Sequence, residues 1–212
     1  MDRSFRQGSR IKRLNRFIYL ISPNKFYNGF YKDLESVLKT QKVHFFQLRM
    51  KNHSKDKLII LSKKVKKITN KYKVKFIIND DIDLAIKCKS DGCHLGQKDG
   101  SIIQARNKLR KKILGITCHG SKKFLLDGEK NKADYLAIGS FYKSKLKPFA
   151  LKANIEILRW AKKNTKASLV AIGGINPKNY KKLLIAGANY IAISSYIWNN
   201  PKLKPYQSIK LF

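Results

Sequence analysis

Eight short apolar runs, rich in β-branched and aromatic residues, recur along the 212 residues. They are FIYLIS (17–22), VHFFQLR (43–49), KFIIND (75–80), GCHLG (92–96), ILGITC (113–118), YLAIGSF (135–141), SLVAIGG (168–174) and YIAISS (190–195). Each is nearly continuous in hydrophobicity, the pattern of a parallel strand buried on both faces. Parallel neighbours need a crossover connection, and most spacers, at roughly 15–30 residues, can hold a helix. The spacer around 81–91 is shorter. Segment 54–72 sets Leu58, Ile59, Leu61, Val65 and Ile68 mostly at steps of three and four with lysines between, which predicts an amphipathic helix. Eight βα units in about two hundred residues predict an α/β fold, a closed (β/α)8 TIM barrel of minimal size. An open doubly wound sheet is the alternative, but the count of eight and the lack of GxGxxG after the first run favour the barrel.

The boundaries follow. Residues 1–16 form a basic extension holding five of the nine arginines, residues 17–199 the barrel, and residues 200–212 a short tail with two prolines nearby. The eighth helix is therefore expected to be abbreviated or irregular. No apolar run approaches the ~18 residues of a membrane span. The N-terminus is basic but has no apolar segment or small-residue cleavage site, so it does not read as a secretory signal. Cys88, Cys93 and Cys118 make an odd count without metal-type spacing, which points to a reduced, cytoplasmic compartment. The net charge of +34 suits anionic ligands. Its lysines are spread along the whole chain, and no zinc-finger or RNP-type motif accompanies them. Dedicated nucleic-acid binding is therefore not expected.

Acidic residues are scarce: 13 against 47 basic ones. Five of the 13 (Asp80, Asp81, Asp83, Asp91 and Asp99) fall within residues 76–99. In an α/β barrel the chemistry sits at the C-terminal ends of the strands. The second run ends with Gln47, Arg49 and Lys51 at alternate positions, which period-two alternation sends to one side. The third ends at Asn79-Asp80, and the fourth leads to Asp99. The fifth ends with Thr117, Cys118 and His119. The sixth leads to Ser144 and Lys147, the seventh ends at Gly173-Gly174, and the eighth at Ser194-Ser195. Asp80 and Asp99 follow adjacent strands, so their carboxylates can converge; two such groups with waters and a phosphate suit Mg2+. Asp83 and Asp91 read as helix or turn residues. The loops after strands seven and eight are a frequent phosphate site, where Gly173 and Gly174 would admit backbone N–H groups and the serines would add donors.

These motifs resemble the thiamine-phosphate synthase (thiamine monophosphate pyrophosphorylase) family, together with its thiazole tautomerase branch. The resemblance rests on YLIS, QLRMK, IINDDIDLA, SDGCHLGQKD, LGITCH, DYLAIGSFYKSKLK, VAIGGINPKN and AGANYIAISSYI, from about Ile18 to Ile197. It implies a TIM barrel that joins a hydroxymethylpyrimidine diphosphate to a thiazole phosphate, giving thiamine phosphate and pyrophosphate through a pyrimidine cation. By position it implies Gln47, Arg49 and Lys51 along the pyrimidine-diphosphate site, with Asn79 and Lys147 on the diphosphate. It implies Asp80 and Asp99 on Mg2+, and Thr117 near the pyrimidine. Ser144 to Leu146, Gly174, Ser194 and Ser195 would take the thiazole phosphate. Arg49 and Lys147 are the implied catalytic cations. A homo-oligomer is compatible with this reading.

Several positions depart from the family pattern. The loop after the sixth strand, usually P-T-x-T-K, reads KSKLK, with Leu146 in place of a hydroxyl donor. Asp81 stands where arginine is common, Met50 where an acid is usual, and Ser194 where the family is apolar. Two other readings stay open: a thiazole tautomerase using His119, and a non-catalytic phosphate-ligand-binding barrel. The second carboxylate, Asp99, favours the synthase. Cys118 and His119 are adjacent in a strand and so face opposite ways, which argues against a thiol dyad. His94 reads as a satisfied structural histidine, and Trp160 and Trp198 as packing residues.

Overall fold

The computed structural model describes residues 16–143 and 153–212. Its eight strands alternate with helices along the chain and pair in parallel in sequence order, and the first pairs with the last to close the barrel. The strands are β1 (Ile18–Ile21), β2 (Val43–Leu48), β3 (Lys75–Asn79), β4 (Gly92–Leu95), β5 (Ile113–His119), β6 (Tyr135–Ile138), β7 (Ser168–Ile172) and β8 (Tyr190–Ile193). Every expected strand forms. Most end one to three residues early, because the polar residues at the mouth leave the ladder. Among the described residues the helices are α1 (Phe30–Leu38), α2 (Lys55–Lys71), α3 (Ile82–Lys87), α4 (Ile102–Leu109), α5 (Lys122–Lys130), α6 (Glu156–Asn164), α7 (Tyr180–Ile185), α8 (Ser195–Trp198) and α9 (Pro205–Lys210). None is long and apolar enough to cross a membrane.

Local chemistry sets the helix starts. Ser54 Oγ accepts from the Lys57 N–H at the start of α2, and Asp81 Oδ1 from the Leu84 N–H at the start of α3. Ser101 and Ser121 cap α4 and α5 in the same way. Such caps satisfy N–H groups that the first helical turn leaves unpaired. The eighth helical unit is split, as the prolines suggest. The four-residue α8 places Trp198, whose indole Nε1 donates to the Ile21 carbonyl at 2.7 Å. The last helix, α9, then packs against α1 and buries Ile209 and Phe212. Lys42 Nζ donates to the Phe212 carbonyl at 2.9 Å.

Alternation along each strand produces two cores. Residues pointing outward, such as Leu20, Phe46, Ile78 and Leu136, pack under the helices. Residues pointing inward fill the lumen: Tyr19, Ile21, Phe45, Ile77, Tyr135, Ala137, Val170 and Ala192. The rings of Tyr19, Phe45 and Tyr135 meet with centroids 5.1–5.5 Å apart. Gly115 makes room for them: a Cβ there would lie 1.8 Å from the Tyr135 ring. The lumen is therefore a packed floor beneath the C-terminal mouth.

Candidate active site

The arm that follows β2 is pinned along the edge of the mouth. The Arg49 N–H donates to Ser22 Oγ at 3.0 Å, Ser22 Oγ donates to the Arg49 carbonyl at 3.3 Å, and the Lys51 N–H donates to Asn24 Oδ1 at 2.7 Å. Met50 packs with Leu48 in the core under the helices, beside a cavity of about 140 Å3 that Leu58 of α2 and Leu84 of α3 also line and whose polar side is formed by Lys51, Asn79 and Asp80. Gln47 sits one step deeper, 2% exposed. Asn79 follows Ile77 on the lumen side of β3 and so reaches the mouth.

The five clustered aspartates divide by role. Asp81 caps α3 and pairs with Lys55 at 2.7 Å. Asp83 pairs with Lys108 at 2.9 Å. Asp91 accepts the Phe76 N–H at 2.8 Å and so ties the start of β3 to that of β4. The remaining two, Asp80 and Asp99, are neighbours. Asp80 adopts a left-handed backbone (φ 65°), with its N–H donating to the His94 carbonyl at 2.7 Å. Asp is one of the few residues to tolerate this conformation, and here it turns the carboxylate towards the end of β4. Asp99 Oδ2 accepts the Gly96 N–H at 2.7 Å and lies within hydrogen-bonding reach of Asp80. Burial first, and then the Asp99 carboxylate, push Asp80 up to about 6, against the pull of Arg49 and Lys51. A hard divalent cation would relieve that repulsion. Among the described residues no group of three or more His, Cys, Asp or Glu could hold a metal ion. Two carboxylates are a donor set that Mg2+ accepts, since it takes one or two and completes its shell with waters and phosphate oxygens. Such a set does not suit a cation held wholly by protein.

Below the carboxylates a chain of hydrogen bonds crosses the lumen. Gln47 Nε2 donates to Tyr19 OH at 3.1 Å, and Tyr19 OH meets Tyr135 OH at 2.7 Å. Tyr135 OH lies 3.0 Å from His94 Nδ1, and His94 Nε2 lies 2.8 Å from Thr117 Oγ1. Burial pushes the His94 imidazole down to about 4 and both phenols upward. His94 is satisfied, as its sequence context suggests, and it is also one link in a chain joining two expected site residues. Gln97 Nε2 donates to the Thr117 carbonyl and fixes that end. Nothing in the sequence singles out Tyr19, Tyr135, Ser22, Asn24 or Gln97. The one available signal was a polar tip at inward positions of otherwise apolar strands.

Backbone contacts build the other side of the mouth. Gly173 and Gly174 have φ of 108° and 60°. A Cβ on Gly173 would lie 2.0 Å from Ser140 Oγ, and one on Gly174 would lie 2.5 Å from the Lys143 carbonyl. The Phe141 and Tyr142 N–H groups donate to the Ile172 and Gly173 carbonyls, both at 3.1 Å. Asn179 Nδ2 holds the Gly174 carbonyl at 3.1 Å. Ser194 Oγ donates to the Ser22 carbonyl at 3.2 Å, and Ser195 opens α8. Ser144, Leu146 and Lys147 lie outside the described residues. Cys118 is buried, its thiol pushed up to about 12 by burial, while His119 is exposed; no thiol dyad forms.

A closed α/β barrel with a pair of carboxylates, two neighbouring cations and a glycine turn at its mouth is suited to an enzyme that acts on small phosphorylated molecules. The family model "Thiamine monophosphate synthase" matches residues 18–197. The thiamine-phosphate synthase of Pelagibacter ubique (strain HTCC1062) is 52% identical over 200 residues, covering 92% of this chain and 95% of that protein. That of Erythrobacter litoralis (strain HTCC2594) is 37% identical over 196 residues, covering 90% and 92%. The thiamine phosphate pyrophosphorylase of Pyrococcus furiosus superposes with a TM-score of 0.82 at 26% identity, over 94% of this chain and 95% of that one. The chain belongs to the thiamine monophosphate synthase family.

Proposed function

We propose that the mouth joins 4-amino-2-methyl-5-(diphosphooxymethyl)pyrimidine to a thiazole phosphate, releasing pyrophosphate. The carrying observation is that, among the described residues, Arg49 and Lys51 lie close to a carboxylate pair while the cysteine and the histidine nearby are already committed. Cys118 is buried and His94 is committed to two hydrogen bonds. That inventory suits a reaction whose main demand is stabilising a departing anion. The C–O bond to the diphosphate breaks with its electron pair leaving on oxygen. The thiazole nitrogen then supplies its lone pair to the pyrimidine methylene carbon, forming the new C–N bond. Bound through Asp80 and Asp99, Mg2+ would neutralise charge on the diphosphate. Arg49, Lys51 and Asn79 would orient it from the β2–β3 side, with Lys147 arriving from the β6 loop. Gln47 and Thr117 would meet the pyrimidine. Gly174, Ser144, Ser194 and Ser195 would receive the thiazole phosphate. Among the described residues no observation favours the tautomerase: His119 is exposed, with its ring against that of Phe124.

The test is to incubate the purified protein with both substrates and Mg2+, with and without EDTA, and measure thiamine phosphate by mass spectrometry. Mg2+-dependent product is expected. Absence of product while the thiazole phosphate still binds would overturn the synthase reading.

A further inference from the structure

The lumen chain has a property that its individual bonds do not. A neutral imidazole carries one N–H, so once one donor in the chain is fixed, all the others follow. Gln47 Nε2 can only donate, so Tyr19 oxygen accepts and its proton goes to Tyr135. The Tyr135 proton then goes to His94 Nδ1, and Nε2–H donates to Thr117 Oγ1. The Thr117 proton is left to point elsewhere. With Gln47 in this orientation, a doubly protonated imidazole does not fit. Tyr135 would have to donate back to Tyr19, stranding the Tyr19 proton in the packed lumen. The outer ends of the chain are therefore tied together: Gln47 presents its amide oxygen, an acceptor, and Thr117 presents a hydroxyl proton, a donor. Turning the Gln47 amide over would reverse every bond and exchange both ends at once.

We propose that Tyr19, Tyr135 and His94 are positioning residues that set the donor–acceptor order of Gln47 and Thr117, and so select an aminopyrimidine over an oxopyrimidine. This rests on the reading of the mouth as the pyrimidine-diphosphate site. A 4-aminopyrimidine offers an N–H donor next to a ring-nitrogen acceptor, the complement of the order in the structure. A 4-oxopyrimidine offers a carbonyl next to a ring N–H and mismatches both ends. Neither of the two contact residues could enforce this alone, because an amide and a hydroxyl each rotate to suit the ligand. The chain beneath couples the two, so neither can turn without the other, and the Gln47 amide as it lies sets the order of both. Gly115 belongs to the device, since only a residue without a side chain leaves the Tyr135 ring in place.

Two measurements test it. The first needs no substrate: 15N NMR of histidine-labelled protein, with His94 assigned through a His94→Gln variant. The wild-type ring is expected as the Nε2–H tautomer, becoming a tautomer mixture in Tyr135→Phe. An Nδ1–H or doubly protonated ring in the wild type would overturn the order, whether or not the protein is a synthase. The second is steady-state kinetics of Tyr135→Phe, which removes one oxygen from the middle of the chain. KM for the pyrimidine diphosphate should rise about tenfold, and the preference for the 4-amino over the 4-oxo substrate should fall by at least as much. KM for the thiazole phosphate should stay within about twofold. Unchanged preference in a folded variant would overturn the proposal, as would equal changes in both KM values. If the single variant does not fold, Tyr19→Phe with Tyr135→Phe removes both hydroxyls together and leaves no orphan between them, so the same ratios can be read.

Discussion

The two sides of the barrel mouth are built by different means. From β2 to β5 side-chain chemistry does the work: Asp80 and Asp99 face one another, and the chain from Gln47 to Thr117 runs through the lumen beneath them. From β6 to β8 the backbone does it. Gly173 and Gly174 turn at positive φ so that the segment at 140–143 can lie directly on them. The first side can distinguish charge and hydrogen-bond order, because its polar groups are buried or half-buried and tied to one another by hydrogen bonds. The second can present N–H groups to a phosphate whatever the rest of the ligand looks like. A reaction between an aminopyrimidine diphosphate and a thiazole phosphate needs both kinds of recognition in one mouth.

The largest expected break falls on the first side. Asp99→Asn keeps an oxygen for the Gly96 N–H, so the local cap at β4 survives. It removes one of two converging charges. We expect kcat/KM to fall by about 10²–10³, with the Mg2+ concentration for half-maximal rate moved upward and the thermal midpoint nearly unchanged. Unaltered Mg2+ dependence would remove Asp99 from the metal site. On the second side the comparable break is structural. Gly173→Ala places a methyl group on a residue at φ 108° and 2.0 Å from Ser140 Oγ. Backbone strain alone costs about 1–3 kcal/mol, and each kcal/mol lowers the midpoint of a chain this size by about 2–4 °C. KM for the thiazole phosphate should rise, while that for the pyrimidine diphosphate holds. If both rise together, the two sides are not independent and the comparison fails.

This division also explains what could be read from the sequence. The strands were legible because buried parallel strands are continuous apolar runs, and α2 because Ser54 and the lysine-spaced apolar stripe mark it from end to end. Asp80 and Asp99 were legible because acids are scarce and these two follow adjacent strands. The lumen chain was not. Tyr19 and Tyr135 read as ordinary strand residues, and they meet only because barrel closure brings together positions 116 apart in sequence. Register across β1, β2, β4, β5 and β6 decides that contact, and no local pattern encodes it. The glycine pair was legible as a turn. Its purpose, to let the β6 loop lie flush on β7, depends on a neighbour that the sequence does not identify.

The smallest expected effect is the sharpest test of where the backbone side ends. Ser194 carries a hydroxyl just past the end of β8, and it invites assignment as a phosphate donor. In the structure its single proton is already given to the Ser22 carbonyl at 3.2 Å. Its own carbonyl accepts the Ile197 and Trp198 N–H groups, which start α8. What the hydroxyl has left are lone pairs, and a phosphate oxygen has no use for an acceptor. Ser194→Ala should therefore leave KM for the thiazole phosphate within about twofold, and cost about 0.5–1.5 kcal/mol of stability through the lost tie between β8 and β1. Any contribution of this position to phosphate binding would then come from its backbone, in keeping with the rest of that side. A rise in KM of about tenfold would show instead that the hydroxyl leaves Ser22 when substrate binds. In that event the backbone side would also use a side chain, and the contrast between the two halves of the mouth would hold only for the unliganded protein.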